Sequence, residues 1–597
     1  MPKYSLKYIV KFFYTIAPSS HRRRFWWLCL LNTFMGFFEI GVAGGISLLG
    51  VAMSSPESLT HLPLLSDFAA QVPFSKNVPD TLRMLTIIMM CIFLATAAKN
   101  CLLAYITWQQ NYFSQGIAWS IGQKLFQRFL CAPYLWHTHQ NSAELLTILN
   151  WKAYIATFSV AILTLVTQAI IAFFLFSGAI IANPLMSGFL FITVASFAVI
   201  IQKYSKKKIY TLSNALKGYD LYNSHVNMQG LHAIREIIIY DKKTEFLEKY
   251  KKYIEPYSAT CSYQALFPNF PQWSLETIGI GLLLVVLLIL ITNNSSVANA
   301  TGLITLLAAV SWRLLPATNK VIGALMTMRS QQPVIEKILT ALTTPQSATP
   351  ECRKILQFND AIMLQDITFS YPSASKPALD HVSLNIPKGK MVGFIGLSGS
   401  GKSTLSAIIT GLMTPDSGQL IVDGRPWDST AKRLKIGYVP QNLYLLDASL
   451  AENVAFSQWG KTIDEARVKK CCQMAAIDFL ADLPEDIHTV LGERGVRLSG
   501  GQVQRVGIAR ALYDNPDLLL FDEATSALDG AAENEIQTTI SSLRSSITLL
   551  IIAHRLSTVA ECDIVYWIDK GRIIRSGAPG EVLPEYEATL HQSAFSR

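Results

Sequence analysis

The sequence predicts an α-helical transmembrane domain of six spans followed by an α/β domain of the P-loop NTPase type. Three observations carry this. Half of the 597 residues are hydrophobic and only 16% are charged, which leaves too little polar surface for a soluble chain of this length. The apolar runs, such as "GLLLVVLLILI" (Gly281 to Ile291), fill roughly the first 330 residues, whereas the rest alternates strands, turns and charged helices. In that second part the pattern Gly396 to Ser403 within "GFIGLSGSGKST" comes directly after the apolar strand "MVGFI", the order in which a glycine-rich phosphate loop opens a helix.

Residues 1–24 come first. Lys3, Lys7 and Lys11 fall on one helical face and Leu6, Ile9, Phe12, Phe13 and Ile16 on the other, which predicts an amphipathic elbow helix lying in the membrane interface. No short apolar core with a small-residue cleavage site is present, so a cleaved signal peptide is not expected. Residues 25–340 are expected to form the membrane domain. About 20 apolar residues cross a bilayer, and six stretches qualify: Phe25–Met53, Leu82–Phe113, Tyr154–Ile181, Leu185–Ile201, Tyr263–Ile291 and Ala300–Met326. Pro63 followed by Leu65, Phe68, Ala69 and Val72 suggests a short helix in the first outer loop.

Basic residues set the orientation. Arg22 to Arg24 precede the first span, and Lys203, Lys206 to Lys208, Lys242, Lys243, Lys249, Lys251 and Lys252 crowd the segment between spans four and five. The connections Ala182 to Pro184 and Thr292 to Asn299 carry no charge. Positive charge stays inside, so both termini are expected in the cytoplasm. Residues 341–354, "ALTTPQSATPECRK", have the composition of a linker. The nine cysteines fall outside the segments placed beyond the membrane, which argues against a disulfide framework. Neither Cys471 with Cys472 nor His137 with His139 has metal-site spacing.

Residues 355–597 form the soluble domain. Gly396, Leu397, Ser398, Gly399, Ser400, Gly401, Lys402, Ser403 and Thr404 make the phosphate cradle: backbone N–H groups turn inward, Lys402 reaches the terminal phosphates, and Ser403 is placed for Mg²⁺. In "LLLFDEATSALD" a hydrophobic strand ends in two carboxylates. Asp522 is expected beside Mg²⁺, and Glu523 is placed to polarise the attacking water. Between these motifs, "LSGGQVQRVGIARAL" opens a helix at Ser499, Gly500, Gly501 and Gln502 whose amides make a second anion site. Two phosphate-binding helix ends in one domain make sense if the second closes on nucleotide held by another copy.

From Ala361 to about Ser593 the chain resembles the ATPases of the ABC transporter family. The resemblance implies that Tyr371 stacks on adenine, that Gln441 in "YVPQN" is the Q-loop residue and a Mg²⁺ contact, and that His554 in "IIAHR" is the catalytic switch histidine. It likewise makes Asp529 the D-loop residue and Glu493 a contact to a partner's cytoplasmic helices. Val503 and Gly507 depart from the family's signature helix at positions that do not face phosphate. One six-span half fused to one ATPase half resembles an exporter-type half-transporter, which implies a homodimer with two shared ATP sites, no nucleic-acid partner, and a bacterial inner-membrane location. Leu135 to Leu145 and Ile234 to Lys243 would be the cytoplasmic turns that press on the ATPase domains.

Within the exporters, "WRLLPATNK", the outer helix and "FFEIG" around Glu39 resemble the lipid-linked oligosaccharide flippases, with Gln272 standing where that branch has a basic residue. The expected function is ATP-driven movement of an amphipathic substrate, a lipid-linked glycan or related lipid, out of the inner leaflet. Export of peptides or small hydrophobic compounds, and an ATP-gated regulator that does not pump, are the alternatives. Lys99 and Arg313, each inside an apolar span, are the candidate contacts to an anionic headgroup; a structural kink or carboxylate pairing is the competing reading for Arg313.

Overall fold

The structure is a computed structural model. It describes residues 19–54, 80–182, 184–267, 269–292, 297–344, 354–372, 374–429, 432–492, 498–523, 530–544, 547–553 and 556–595. The described residues up to Leu130 and from Gln140 to Thr344 form one compact unit; Cys131–His139 and the residues from Pro345 onward form the other.

The first unit is all helical. Long helices α1 (Ser19–Ser54) and α2 (Asp80–Leu130) are followed by short α3 (Tyr134–Thr138) and α4 (Ser142–Asn150), then α5 (Lys152–Ala182), α6 (Pro184–His232), short α7 (Ile234–Ile239), α8 (Lys243–Leu266), α9 (Phe270–Thr292) and α10 (Val297–Leu342). Helix is what an apolar solvent demands, because only it satisfies every backbone group within one segment. The long helices α1, α2, α5, α6, α9 and α10 carry the six apolar stretches. By length and composition, among the described residues, three stretches suffice to cross a membrane: His21–Gly50, Leu85–Leu130 and Ser142–Gly178.

Two local expectations change. The fifth stretch does not run unbroken from Tyr263, since α8 ends at Leu266 and α9 starts at Phe270. In the sequence Pro268 falls between the two helices and Pro271 is the second residue of α9, and proline lacks the N–H that would continue the first helix. Residues 19–24 are the first turns of α1, not part of a separate elbow; residues 1–18, like the outer loop helix after Pro63, lie outside the described residues.

Met35, Ile106, Ile171, Leu175 and Ala317 form a core shared by α1, α2, α5 and α10, while Ile201, Ile209, Leu275, Ile322 and Met326 join α6, α9 and α10. Polar contacts cross the same seams: Gln110 Nε2 donates to Thr167 Oγ1 at 2.9 Å between α2 and α5.

The second unit starts its sheets at β1 (Lys354–Ile355), followed by β2 (Ala361–Phe369), β3 (Leu379–Pro387) and β4 (Met391–Ile395). Helix α11 (Lys402–Ile409) precedes β5 (Ser417–Val422), β6 (Arg425–Pro426), β7 (Lys432–Arg433) and β8 (Ile436–Val439). Then come α12 (Leu450–Val454), α13 (Glu465–Met474), α14 (Gly500–Leu512), β9 (Leu518–Asp522), α15 (Gly530–Leu543), β10 (Thr548–Ile552), α16 (Leu556–Val559), β11 (Ile564–Asp569), β12 (Arg572–Gly577) and α17 (Pro579–Phe595). A six-stranded sheet has the order β12-β11-β4-β10-β9-β8, parallel except at β11–β12. Strands β4, β9 and β10 are near-continuous apolar runs because helices cover both faces of a parallel sheet. A second sheet, β3-β2-β5-β6, is antiparallel.

Candidate nucleotide site

The site lies at the carboxyl ends of the central strands, where open α/β sheets bind ligands. Strand β4 is buried along its whole length and runs into Gly396. Gly396 and Gly401 hold φ of 151° and 108°. A Cβ on Gly396 would stand 2.1 Å from the Ile568 carbonyl oxygen, and one on Gly401 2.6 Å from that of Ala378. Only glycine fits such a turn. Gly401 precedes α11 with no side chain capping its amides, so those N–H groups are open to an anion.

Lys402 is buried, and its Nζ donates to the carbonyls of Gly396 (2.7 Å) and Leu397 (2.9 Å). Burial lowers its pKa while the Glu523 and Asp522 carboxylates oppose that shift. Ser400 Oγ is buried with no hydrogen-bond partner, which costs free energy unless a ligand supplies one. Open amides, a lysine and an orphaned hydroxyl together fit a phosphate chain. Ser403 is exposed in the first turn of α11, and the Tyr371 hydroxyl lies 3.1 Å from that of Thr404. The Tyr371 ring meets Phe369 edge-on at 5.2 Å, so the residue expected to stack on a base stands beside the phosphate helix.

Strand β9, between β10 and β8, delivers the carboxylates. Tyr438 on β8 donates its hydroxyl to Asp522 Oδ2 at 3.0 Å. Burial raises the Asp522 pKa, and this hydrogen bond opposes the rise. Glu523 has φ 51°, a left-handed backbone seldom taken by non-glycine residues and often found at functional sites. Its N–H donates to Ile552 O at 2.9 Å, and its carboxylate accepts from Gln441 Nε2 at 2.8 Å. Thus three residues the sequence singled out separately, Gln441, Asp522 and Glu523, come together here. Ser403, Gln441 and Asp522 each carry the kind of oxygen donor that a hard cation such as Mg²⁺ takes.

Helix α14 begins with a capping box. Gln502 N donates to Ser499 Oγ at 3.3 Å, and Ser499 N to Gln502 Oε1 at 2.9 Å. Residues 499–501 make no hydrogen bond to the loop at 396–404 among the described residues. Gly437 lets α14 sit against β8, since a Cβ there would come 2.6 Å from Ala511 O. The departure at Gly507 has a similar reason: a Cβ would reach Leu443 Cδ2 at 2.8 Å.

Two features escape a reading of the sequence alone. Tyr438 stands inside "YVPQN" with no role of its own; its place three residues before Gln441 on a strand is the available signal. Arg510, at the far end of α14, donates to Asn453 O (2.8 Å), Asn453 Oδ1 (2.7 Å) and Tyr444 O (3.0 Å) and lies over the Phe456 ring at 5.3 Å. Burial pushes its pKa down to about 10. It anchors α14 to the segment that follows Gln441. Cys471 and Cys472 are core residues, and burial pushes the Cys472 thiol up to about 12.

His554, Asp529 and Glu493 lie outside the described residues, and so does the side chain of Arg313, whose backbone continues α10 through Pro316. Lys99 is buried with its Nζ 3.2 Å from Glu39 Oε1, an ion pair between α2 and α1.

Residues 60–314 match the ABC transporter transmembrane region and residues 379–526 the ABC transporter family proper. Among curated proteins, the "ATP-dependent lipid A-core flippase" of Photobacterium profundum is 40% identical over 247 residues, 40% of this chain and 42% of that protein. The protein of the same name from Vibrio cholerae serotype O1 is 40% identical over 242 residues, again 40% and 42% of the two chains. These alignments thus span less than half of each relative. Among solved structures, one described as a bacterial Atm1-family ABC exporter with ATP bound superposes with a TM-score of 0.75 at 22% identity, over 93% of this chain and 98% of that one. A helical membrane unit and a nucleotide-binding unit, each matched by its own family profile and together sharing an exporter's fold, place the chain in the ABC transporter family.

Proposed function

We propose that the chain is a half-transporter that hydrolyses ATP to move an amphipathic lipid-linked glycan or related lipid out of the inner leaflet of a bacterial inner membrane. In this reading six spans cross the membrane, both termini are cytoplasmic, and two copies share two ATP sites. The single observation that carries the enzymatic part is the convergence of Lys402, Asp522, Glu523 and Gln441 around one phosphate loop. The relatives' printed name supports the substrate class. Pairing with a second copy rests on α14: among the described residues the amides of Gly500 and Gly501, left outside the capping box, make no hydrogen bond to this chain's own phosphate loop.

The amides of Gly399 to Ser403 and the Lys402 ammonium hold the β- and γ-phosphates. Mg²⁺ held by Ser403, Gln441 and Asp522 would neutralise charge developing on those oxygens. Glu523 orients a water toward the γ-phosphorus and takes its proton as the bond to the bridging oxygen breaks, releasing ADP and phosphate. His554 is assigned to the γ-phosphate side by its motif. In the membrane unit, Lys99 and Arg313 hold an anionic headgroup; Glu39 is the counter-charge that such a headgroup displaces from Lys99.

Purified protein in proteoliposomes with a lipid-linked glycan tests the reading. ATP should drive translocation, and Glu523→Gln should cut hydrolysis at least ~100-fold while a fluorescent ATP analogue still binds. Hydrolysis without translocation of any lipid would remove the transport assignment; parental hydrolysis by Glu523→Gln would remove the assigned base.

A further inference from the structure

Strand β8 brings two donors to the end of β9. Tyr438, in register with Leu520, reaches Asp522, and Gln441, just beyond the strand, reaches Glu523. Gln441 belongs to the motif set; Tyr438 does not. Its hydroxyl occupies Oδ2 of Asp522, which leaves the other carboxylate oxygen directed by that bond. Carboxylates that hold cations are generally oriented by such outer hydrogen bonds, and losing one weakens the cation typically 10–100-fold.

Tyr438 also faces a cavity of about 250 Å³ lined by Trp427, Leu434 and Ile436. Residues 131–139, which contain α3, belong to the same compact unit, and Leu135 packs on the core cluster that includes Trp427 and Leu434. Tyr134, next to Leu135 on α3, carries a hydroxyl of its own.

We infer that Tyr438 is a positioning residue that orients Asp522 for its cation and ties that orientation to the seat of α3. The inference rests on the proposed role of Asp522 as a cation ligand. Movement of α3 would then reach the cation site through a side chain of β8, in parallel with the Gln441 contact to Glu523.

The test is Mn²⁺ binding to the full-length protein with a non-hydrolysable ATP analogue, followed by electron paramagnetic resonance. Tyr438→Phe keeps the ring and removes the hydroxyl; it should raise the Mn²⁺ half-saturation concentration at least ~10-fold with an unchanged melting temperature. Tyr134→Phe on α3 should shift Mn²⁺ in the same direction by a smaller factor. Asp522→Asn separates the two readings. If it leaves Mn²⁺ binding intact, Asp522 is no ligand and the site assignment itself fails. If Asp522→Asn weakens Mn²⁺ while Tyr438→Phe binds within two-fold of the parent, Tyr438 does not position it. A response to Tyr438→Phe with none to Tyr134→Phe overturns the tie to α3.

Discussion

The two units invert each other's pattern. In the nucleotide-binding unit Phe394 on β4 is 0% exposed; in the membrane unit Phe93 on α2 is 72% exposed while Ser114 on the same helix is 0% exposed and Lys99 is 3% exposed. One set of physical rules gives both. Water expels apolar surface, so the sheet hides its phenylalanines. Hydrocarbon does not, and helices there associate through packing and polar contacts instead. The same side chain therefore has a different energetic meaning on either side of the linker.

The sharpest way to break this contrast is to delete one phenyl ring in each unit. Phe394→Ala should cost ~3–5 kcal/mol, the range for buried aromatic truncation, seen as a lower unfolding temperature of the nucleotide-binding unit in lipid nanodiscs. Phe93→Ala should shift unfolding far less, since lipid fills the space. Equal losses would show that Phe93 is covered by protein in the assembly.

The Lys99–Glu39 pair sharpens the comparison at comparable size. Lys99→Gln leaves Glu39 buried without its cation and should cost ~3–5 kcal/mol, whereas Lys99→Leu with Glu39→Leu should recover most of the stability. If the headgroup role is right, that stable double variant still loses substrate-stimulated hydrolysis in proteoliposomes. Full stimulation would leave the pair a structural lock and Arg313 alone as candidate.

The smallest effect concerns glycine. Gly437→Ala drives a Cβ toward the Ala511 carbonyl and should destabilise by ~1–3 kcal/mol through overpacking. Gly41→Ala on α1 meets nothing within 4 Å, so helix propensity should make it neutral or favourable by up to ~1 kcal/mol. Thermal unfolding of both variants in the same lipid checks the pair.

Much of the site was legible in the sequence because its parts are local. Gly396 to Thr404 form one turn and the start of one helix, and Asp522 with Glu523 end one strand, so spacing alone carries their chemistry. Tyr438 was not legible, because its partner Asp522 lies on a neighbouring strand 84 positions away. Glu39 was noticed for its setting but not as the partner of Lys99, since only the packing of α1 on α2 brings them within 3.2 Å. The break before α9 was missed for a different reason: the apolar run continues across it, and hydropathy does not weigh the missing N–H of Pro268.

By itself the sequence determined that an apolar helical part precedes an α/β part, and which motifs can hold phosphate. These follow from periodicity and near-neighbour sterics. Only the tertiary structure decided which donor serves which carboxylate, which cation faces which acid, and how closely α14 approaches β8. Such pairings depend on strand order and helix crossing, in which residues far apart in the chain compete for the same few ångströms.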